Sequence, residues 1–411
     1  MIRRLVFGYV ACVALFALVA SVLALRDHYV VPYSDDWRIA DDLFQKPLAE
    51  WVLTDQAGHR IPVTLLLFYL DYELLGGRMH LLVIGSLLFA WAALGVLAFG
   101  LREAGRSPDP VSRVAFAFAA FTLFWAGSLH DFVWGMNQGS LLGVLWLVVA
   151  LVMAARHAAR GPAGGATALV AAGLAAFFAS FSHGMGAATW VALLAVAVAG
   201  RFSARAVAGL TASGLLTLAL YARGLQNIPG GSPGYYVTQI LQRGVDLLGF
   251  ACSFVGAPAQ QVLQALGAVE PQAGVALSTG TGAIGAVAAV AFGVWVRRNP
   301  TRCGARGLIA TGLMAFAFAG GALVGLNRIF FGPEHALAPR FVTWASLFWI
   351  GGALALSSFF ARPVGRRVEL AYVACVAVLS LSMFPALSAA RLEHARLRDR
   401  LSATALVHWL D

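Results

Sequence analysis

Charge is scarce in this chain, and lysine is nearly absent. Only 12% of the 411 residues are charged, and one lysine, Lys46, stands beside 28 arginines. That scarcity excludes an ordinary soluble domain, in which about a quarter of the residues are charged. Cysteine is sparse too: Cys12, Cys252, Cys303 and Cys375 include no pair at metal-ligand spacing, so neither a zinc site nor a disulfide is expected. Tandem repeats and low-complexity tracts are missing. The pI near 10 would fit a nucleic-acid binder, but the arginines scatter through short loops and form no stripe, so no nucleic-acid partner is expected.

What the chain has is apolar length. Hydrophobic residues make up 60% of it and the mean hydropathy is +0.78, with several runs near the ~20 residues that span a bilayer. The reading is an all-α, polytopic transmembrane helix bundle, a single domain over 1–411. It has about eleven spans: 5–25, 79–101, 114–129, 138–155, 166–182, 185–200, 206–222, 274–296, 307–325, 341–360 and 368–388. The first run follows Arg3 and Arg4 as a signal peptide would. It is longer than a signal-peptide core, so a retained span is expected. The excess of arginine over lysine, with abundant alanine and glycine, points to a GC-rich bacterial genome, and so to an inner-membrane protein of the cell envelope.

Charge then orients the bundle. With Met1 in the cytoplasm, sixteen arginines fall in inward loops beside only Glu103, Asp109 and Glu369. Positive charge stays inside in every short loop. The moderately apolar stretch 245–266, broken by Pro258, is read as interfacial or re-entrant, because a further span there would put the basic loop "RRNPTRCGAR" outside. Two long outward loops result, 26–78 and 223–273, both carrying helices along the interface, and a short C-terminal tail runs over 389–411. Eight of the nine histidines gather at or beyond the outer face, leaving His157 inside.

The first outward loop holds four aspartates in eight residues, within "YSDDWRIADD". As plain structure, Ser34 caps a helix, Asp35 and Asp36 sit in its positively polarised first turn, and Arg38 pairs with Asp42. The location supports a second reading, because carboxylates just past a span meet the head of a lipid-borne substrate. An acidic "YSDDW" motif in the first outward loop of a protein with about eleven spans resembles the GT-C class of membrane glycosyltransferases. The resemblance implies a polyprenyl-phosphate-linked sugar as donor, a glycan or lipid acceptor at the outer face, and either Asp35 or Asp36 as general base.

A carboxylate near an acceptor hydroxyl removes its proton, typically a 10²–10⁴-fold contribution. The departing phosphate needs cations, and arginine's planar fork suits it. His59, Arg60, Arg328 and Arg340 are the candidates, with membrane anchoring as their ordinary role. Trp37, Asp131, Asn137, Gln138 and His183 are candidate contacts for sugar or acceptor. Asp35, Asp36 and Asp131 offer oxygen ligands that suit Mg²⁺ or Mn²⁺, but nothing in their spacing requires a metal and none is assigned. A lipid or glycan transporter or flippase is the alternative, as is another membrane transferase. Against transport stand the scarcity of mid-span charge and the absence of matching halves.

Overall fold

The computed structural model describes residues 2–28, 35–56, 58–102, 109–125, 129–223, 225, 234–268, 273–359 and 366–383. After α1 (Ile2–Asp27) come three short helices, α2 (Asp35–Gln45), α3 (Leu48–Leu53) and α4 (Pro62–Leu75). Next are α5 (His80–Leu101), α6 (Pro110–Leu123) and the short α7 (Leu129–Val133). The middle of the chain forms α8 (Gln138–Gly164), α9 (Ala166–Ser182), α10 (Thr189–Ala199) and α11 (Ala204–Ala222). The remainder forms α12 (Gly234–Ala265), α13 (Gly274–Arg298), α14 (Pro300–Arg328), α15 (Val342–Phe359) and α16 (Arg366–Ser382).

Helices are the expected answer to apolar sequence, since backbone groups in hydrocarbon must be satisfied within the chain. Eight of them, α1, α5, α8 and α11 to α15, are long and apolar enough to cross a membrane, and α6, α9 and α10 are shorter apolar helices. The chain is a multi-pass membrane protein. Each apolar run marked in the sequence coincides with a helix, with ends moved by a few residues. The run placed at 114–129 begins at Pro110 because Asp109 accepts from the Ser112 N–H at 2.7 Å and caps α6. The tail 389–411 lies outside the described residues.

The two ends of the bundle differ. At one, arginines close helix C-termini, where free carbonyls carry partial negative charge. Arg306 pairs with Asp109 at 3.0 Å and donates to the Ser357 carbonyl of α15, also at 3.0 Å. Arg297 donates to the Val198 carbonyl of α10, and Arg201 donates to the Arg297 carbonyl of α13 at 2.8 Å. The other end carries α2 to α4, α7, and the turns Gly135–Asn137, Gly184–Ala188 and 329–341. A small satellite core holds this first loop down: Ile39, Trp51, Leu65, Phe68, Met79 and Leu82 are buried together, apart from the main core of the bundle.

Helix α12 departs from the pattern of its neighbours. The α13–α14 hairpin turns at Asn299, so the start of α13 and the last turn of α14 share one end. Tyr236, near the start of α12, donates to Asn327 Oδ1 in that last turn at 2.9 Å. Gln260, near the finish of α12, lies against Gly274, the first residue of α13. Both ends of α12 therefore reach the loop-rich end, and its middle dips inward, where the Val255 carbonyl accepts from Trp349 Nε1 at 2.8 Å. Its break lies at Arg243 (φ −126°), whereas Pro258, expected to interrupt it, is buried within continuous helix. Backbones meet closely here: a Cβ on Gly256 would overlap the Ser278 carbonyl, and one on Gly282 the Cys252 carbonyl.

Candidate functional site

The four aspartates of the first loop separate once α2 is formed. Asp36, Ile39, Ala40 and Leu43 follow helical spacing along its inner face; the first three are buried, with Asp36 only 1% exposed. Asp41 instead accepts from Gln45 at 2.8 Å. Asp42 pairs with Lys46 at 3.0 Å and accepts from Gln56 at 3.3 Å. The expected partner of Asp42 was Arg38; an acid followed four residues later by a base is the order that suits the helix dipole. Asp35 and Trp37 belong to α2, but their side chains lie outside the described residues.

Beside Asp36 stands Tyr72 of α4. Burial, then the carboxylates of Asp36 and Asp71, push the Tyr72 phenol up to about 12, so it is a proton donor at neutral pH. Between α2, α3 and α4 a groove of about 480 Å³ is lined by Leu43, Phe44, Lys46, Tyr69, Tyr72 and Glu73, among others. Apolar walls with one cation and one anion suit an amphipathic molecule entering from the interface.

A line of contacts runs inward from α2. The helix packs on the Gly135–Asn137 turn, which leads into α8. Asn137 is 8% exposed and Gln138 1%. Gln138 donates to the Thr64 carbonyl at 3.3 Å, and the Thr64 hydroxyl donates to the Ser182 carbonyl at 2.6 Å. His183 follows directly. Its ring stacks on His59 at 6.2 Å and leans on Trp344 at 5.2 Å. His59 reaches this position because Gln56 and His59 exchange backbone hydrogen bonds at 2.9 and 3.0 Å around a tight turn, and because Gly184 has no Cβ to meet its ring. Desolvation, and then the neighbouring His59, hold His183 down to about 3, so its ring is neutral. Nδ1 accepts from the Met185 N–H at 3.2 Å, which leaves Nε2 as the donor.

Arg60 turns away from this line. Its guanidinium donates to the Leu220 carbonyl at 3.2 Å, the Leu53 carbonyl at 3.1 Å and the Arg223 carbonyl, tying the first loop to the end of α11. That arrangement is a helix C-terminal clamp. The two other expected phosphate ligands do meet. Arg340 lies 3.0 Å from His335 Nε2 and over the Phe341 ring at 5.2 Å, while Arg328 lies over Phe331 at 5.8 Å. Desolvation, then Arg340 and Arg328, lower the His335 pKa, so His335 offers a neutral Nε2 as acceptor to Arg340. Trp344, four residues on from Arg340, packs its ring against His183.

Asp131, on the short helix α7, is fully buried, as Asp36 nearly is. Burial pushes it up to about 8, with Thr343 acting in the opposite direction. Among the described residues no three His, Cys, Asp or Glu side chains come together as ligands for a metal. His335, Tyr72 and Trp344 were not singled out from the sequence; only the spacing of His335 from Arg340, within "PEHALAPR", carried a signal. In comparisons with family models, curated proteins and solved structures, the chain matches none.

Proposed function

We propose that this protein is an integral membrane glycosyltransferase that moves a sugar from a polyprenyl-phosphate donor to a glycan or lipid acceptor at the outer face. The observation that carries the reading is the inward turn of Asp36, on the buried face of α2, next to Tyr72 and the interfacial groove. Eleven helices cross in this reading: α1, α5, α6, α8 to α11, and α13 to α16. Helix α12 enters and leaves at the outer face without crossing, and the arginine-closed end faces the cytoplasm, as the positive-inside rule requires.

Asp36 is the general base, taking the acceptor's proton as its oxygen attacks the anomeric carbon. Arg328 and Arg340, with His335, receive the leaving phosphate, where fixed cations stabilise the charge that develops. His183 and Tyr72 supply donors to sugar hydroxyls. The groove lined by Tyr72 admits the lipid-borne substrate, and its polyprenyl chain remains among membrane lipids.

Sealed right-side-out vesicles incubated with labelled polyprenyl-phosphate sugars test the reading. Donor is consumed by wild type and not by Asp36→Asn, at equal protein level, while Asp41→Asn retains most activity. Full activity of Asp36→Asn, or no consumption of any such donor, rejects the assignment. A second reading, ion-coupled transport, has one observation in its favour, the buried carboxyl of Asp131. In the same vesicles it would show as donor or glycan crossing without chemical change.

A further inference from the structure

We propose that Arg201 and Arg297 hold the headgroup of an anionic phospholipid at the arginine-closed end of the bundle, with one acyl chain lying along the open face of α10. The site is independent of the transferase reading. The two arginines are tied to each other through the backbone. Arg201 Nε donates to the Arg297 carbonyl at 2.8 Å, and Arg297 Nη1 donates to the carbonyl of Val198, three residues before Arg201. Both residues are exposed, and among the described residues no carboxylate pairs with either. Two cations gathered at one spot repel each other unless an anion joins them. Each spends one N–H group on a carbonyl, and the rest of its planar fork is left for an oxyanion, which a guanidinium binds two oxygens at a time.

The backbone is strained to put Arg201 there. Helix α10 closes in a Schellman motif, in which Phe202 N–H reaches the Ala197 carbonyl at 2.9 Å and Arg201 N–H the Val198 carbonyl at 3.3 Å. The left-handed position of that motif usually belongs to glycine, yet Arg201 occupies it at φ +55°, directly after Gly200. A side chain kept in a costly backbone conformation marks a functional position. The apolar surface leading to the arginines has the shape of a chain. Helix α10 has 11 residues, about 16 Å of helix, and packs on α8 and α14 and on the longer α11 and α13, which do not pack on each other. The face of α10 left open carries Val191 and Val198, seven residues apart and 49% and 54% exposed. On α13 the exposed Val290 and Val294 lead to Arg297 at helical spacing. An apolar furrow that ends at two cations fits a lipid carrying a phosphate. A zwitterionic headgroup would bring an ammonium with no carboxylate to meet it, so charge selects the anionic class.

Thermal unfolding of the full-length protein in detergent, followed by tryptophan fluorescence, tests the site. The additions are dioleoylphosphatidylglycerol, dioleoylphosphatidylcholine or inorganic phosphate, at equal ionic strength. A ligand of the folded state raises the midpoint with its concentration. The expected result is a saturating rise with phosphatidylglycerol alone, and Arg201→Gly and Arg297→Gln each need about tenfold more of it for the same rise. Glycine suits the left-handed position, so Arg201→Gly decides if Arg297→Gln does not fold. Arg160, an exposed arginine of α8 at the same end, is the control, and Arg160→Gln is expected to respond as wild type. An equal rise with phosphatidylcholine means apolar solvation only, and an equal rise with inorganic phosphate means an anion site that takes no lipid. An equal loss in Arg160→Gln means diffuse charge. Each of these overturns the site, as does a wild-type response from Arg201→Gly.

Discussion

The Asp71 carboxylate accepts the backbone N–H of Met79 at 2.8 Å, and this contact holds a turn that would otherwise be strained. Gly76, Gly77 and Met79 all have positive φ, and Met79 is the one among them that carries a side chain. The second oxygen accepts from Leu81 N–H at 2.7 Å, so one fully buried acid closes the first turn of α5. Asp71 breaks the apolar run of the first loop in the sequence, yet its task is structural. Asp71→Ala leaves the buried Met79 N–H and the part-buried Leu81 N–H without this acceptor and is expected to cost about 2–3 kcal/mol. Asp71→Asn keeps one acceptor and is expected to cost about half of that. The check is the thermal midpoint of purified variants: Asp71→Ala matching wild type would remove Asp71 as the cap.

Arg60 and Arg340, both candidate phosphate ligands in the sequence, are expected to part under the same substitution. Arg60→Lys loses the fork that reaches the Leu53, Leu220 and Arg223 carbonyls and is expected to lower stability by about 1 kcal/mol, with donor affinity unchanged. Arg340→Lys keeps the charge, loses bidentate geometry and the contact to His335, and is expected to weaken donor binding about tenfold with stability unchanged. Donor titration and unfolding measured on both variants give the answer. The reverse pattern would exchange their roles.

Acid sensitivity should trace to His183. Its folded-state pKa of about 3 lies below the ordinary 6.5, so between those values the unfolded chain binds more protons than the folded one. Stability is then full above 6.5 and falls as pH drops toward 3, by at most about 1.4 kcal/mol per unit from this residue. His183→Phe preserves the stack on His59 and Trp344 and removes the titration, so its midpoint is expected to change less over that range. A wild-type acid limb as steep as before in His183→Phe would assign the sensitivity elsewhere.

Much of the architecture was legible in the sequence because hydrocarbon offers the backbone no partner. A long apolar run has one stable answer, so the helices fall where the runs do. The charge pattern of the loop after α12 argues for an interfacial or re-entrant segment there, whereas the helix is by length and composition able to cross a membrane. The order of acids and basic partners along α2 was not legible, since it depends on which side of a short helix faces a satellite core, and a shift of one residue moves Asp36 from inside to outside. The sequence also nominated Arg60 and Arg340 on equal terms. Only packing of the first loop against the end of α11 separates them, because a guanidinium goes to whichever carbonyls or anions the tertiary fold brings within reach. The convergence of His59, His183 and Trp344 joins residues more than a hundred positions apart. Local periodicity holds no record of such pairs; the crossing of helices creates them.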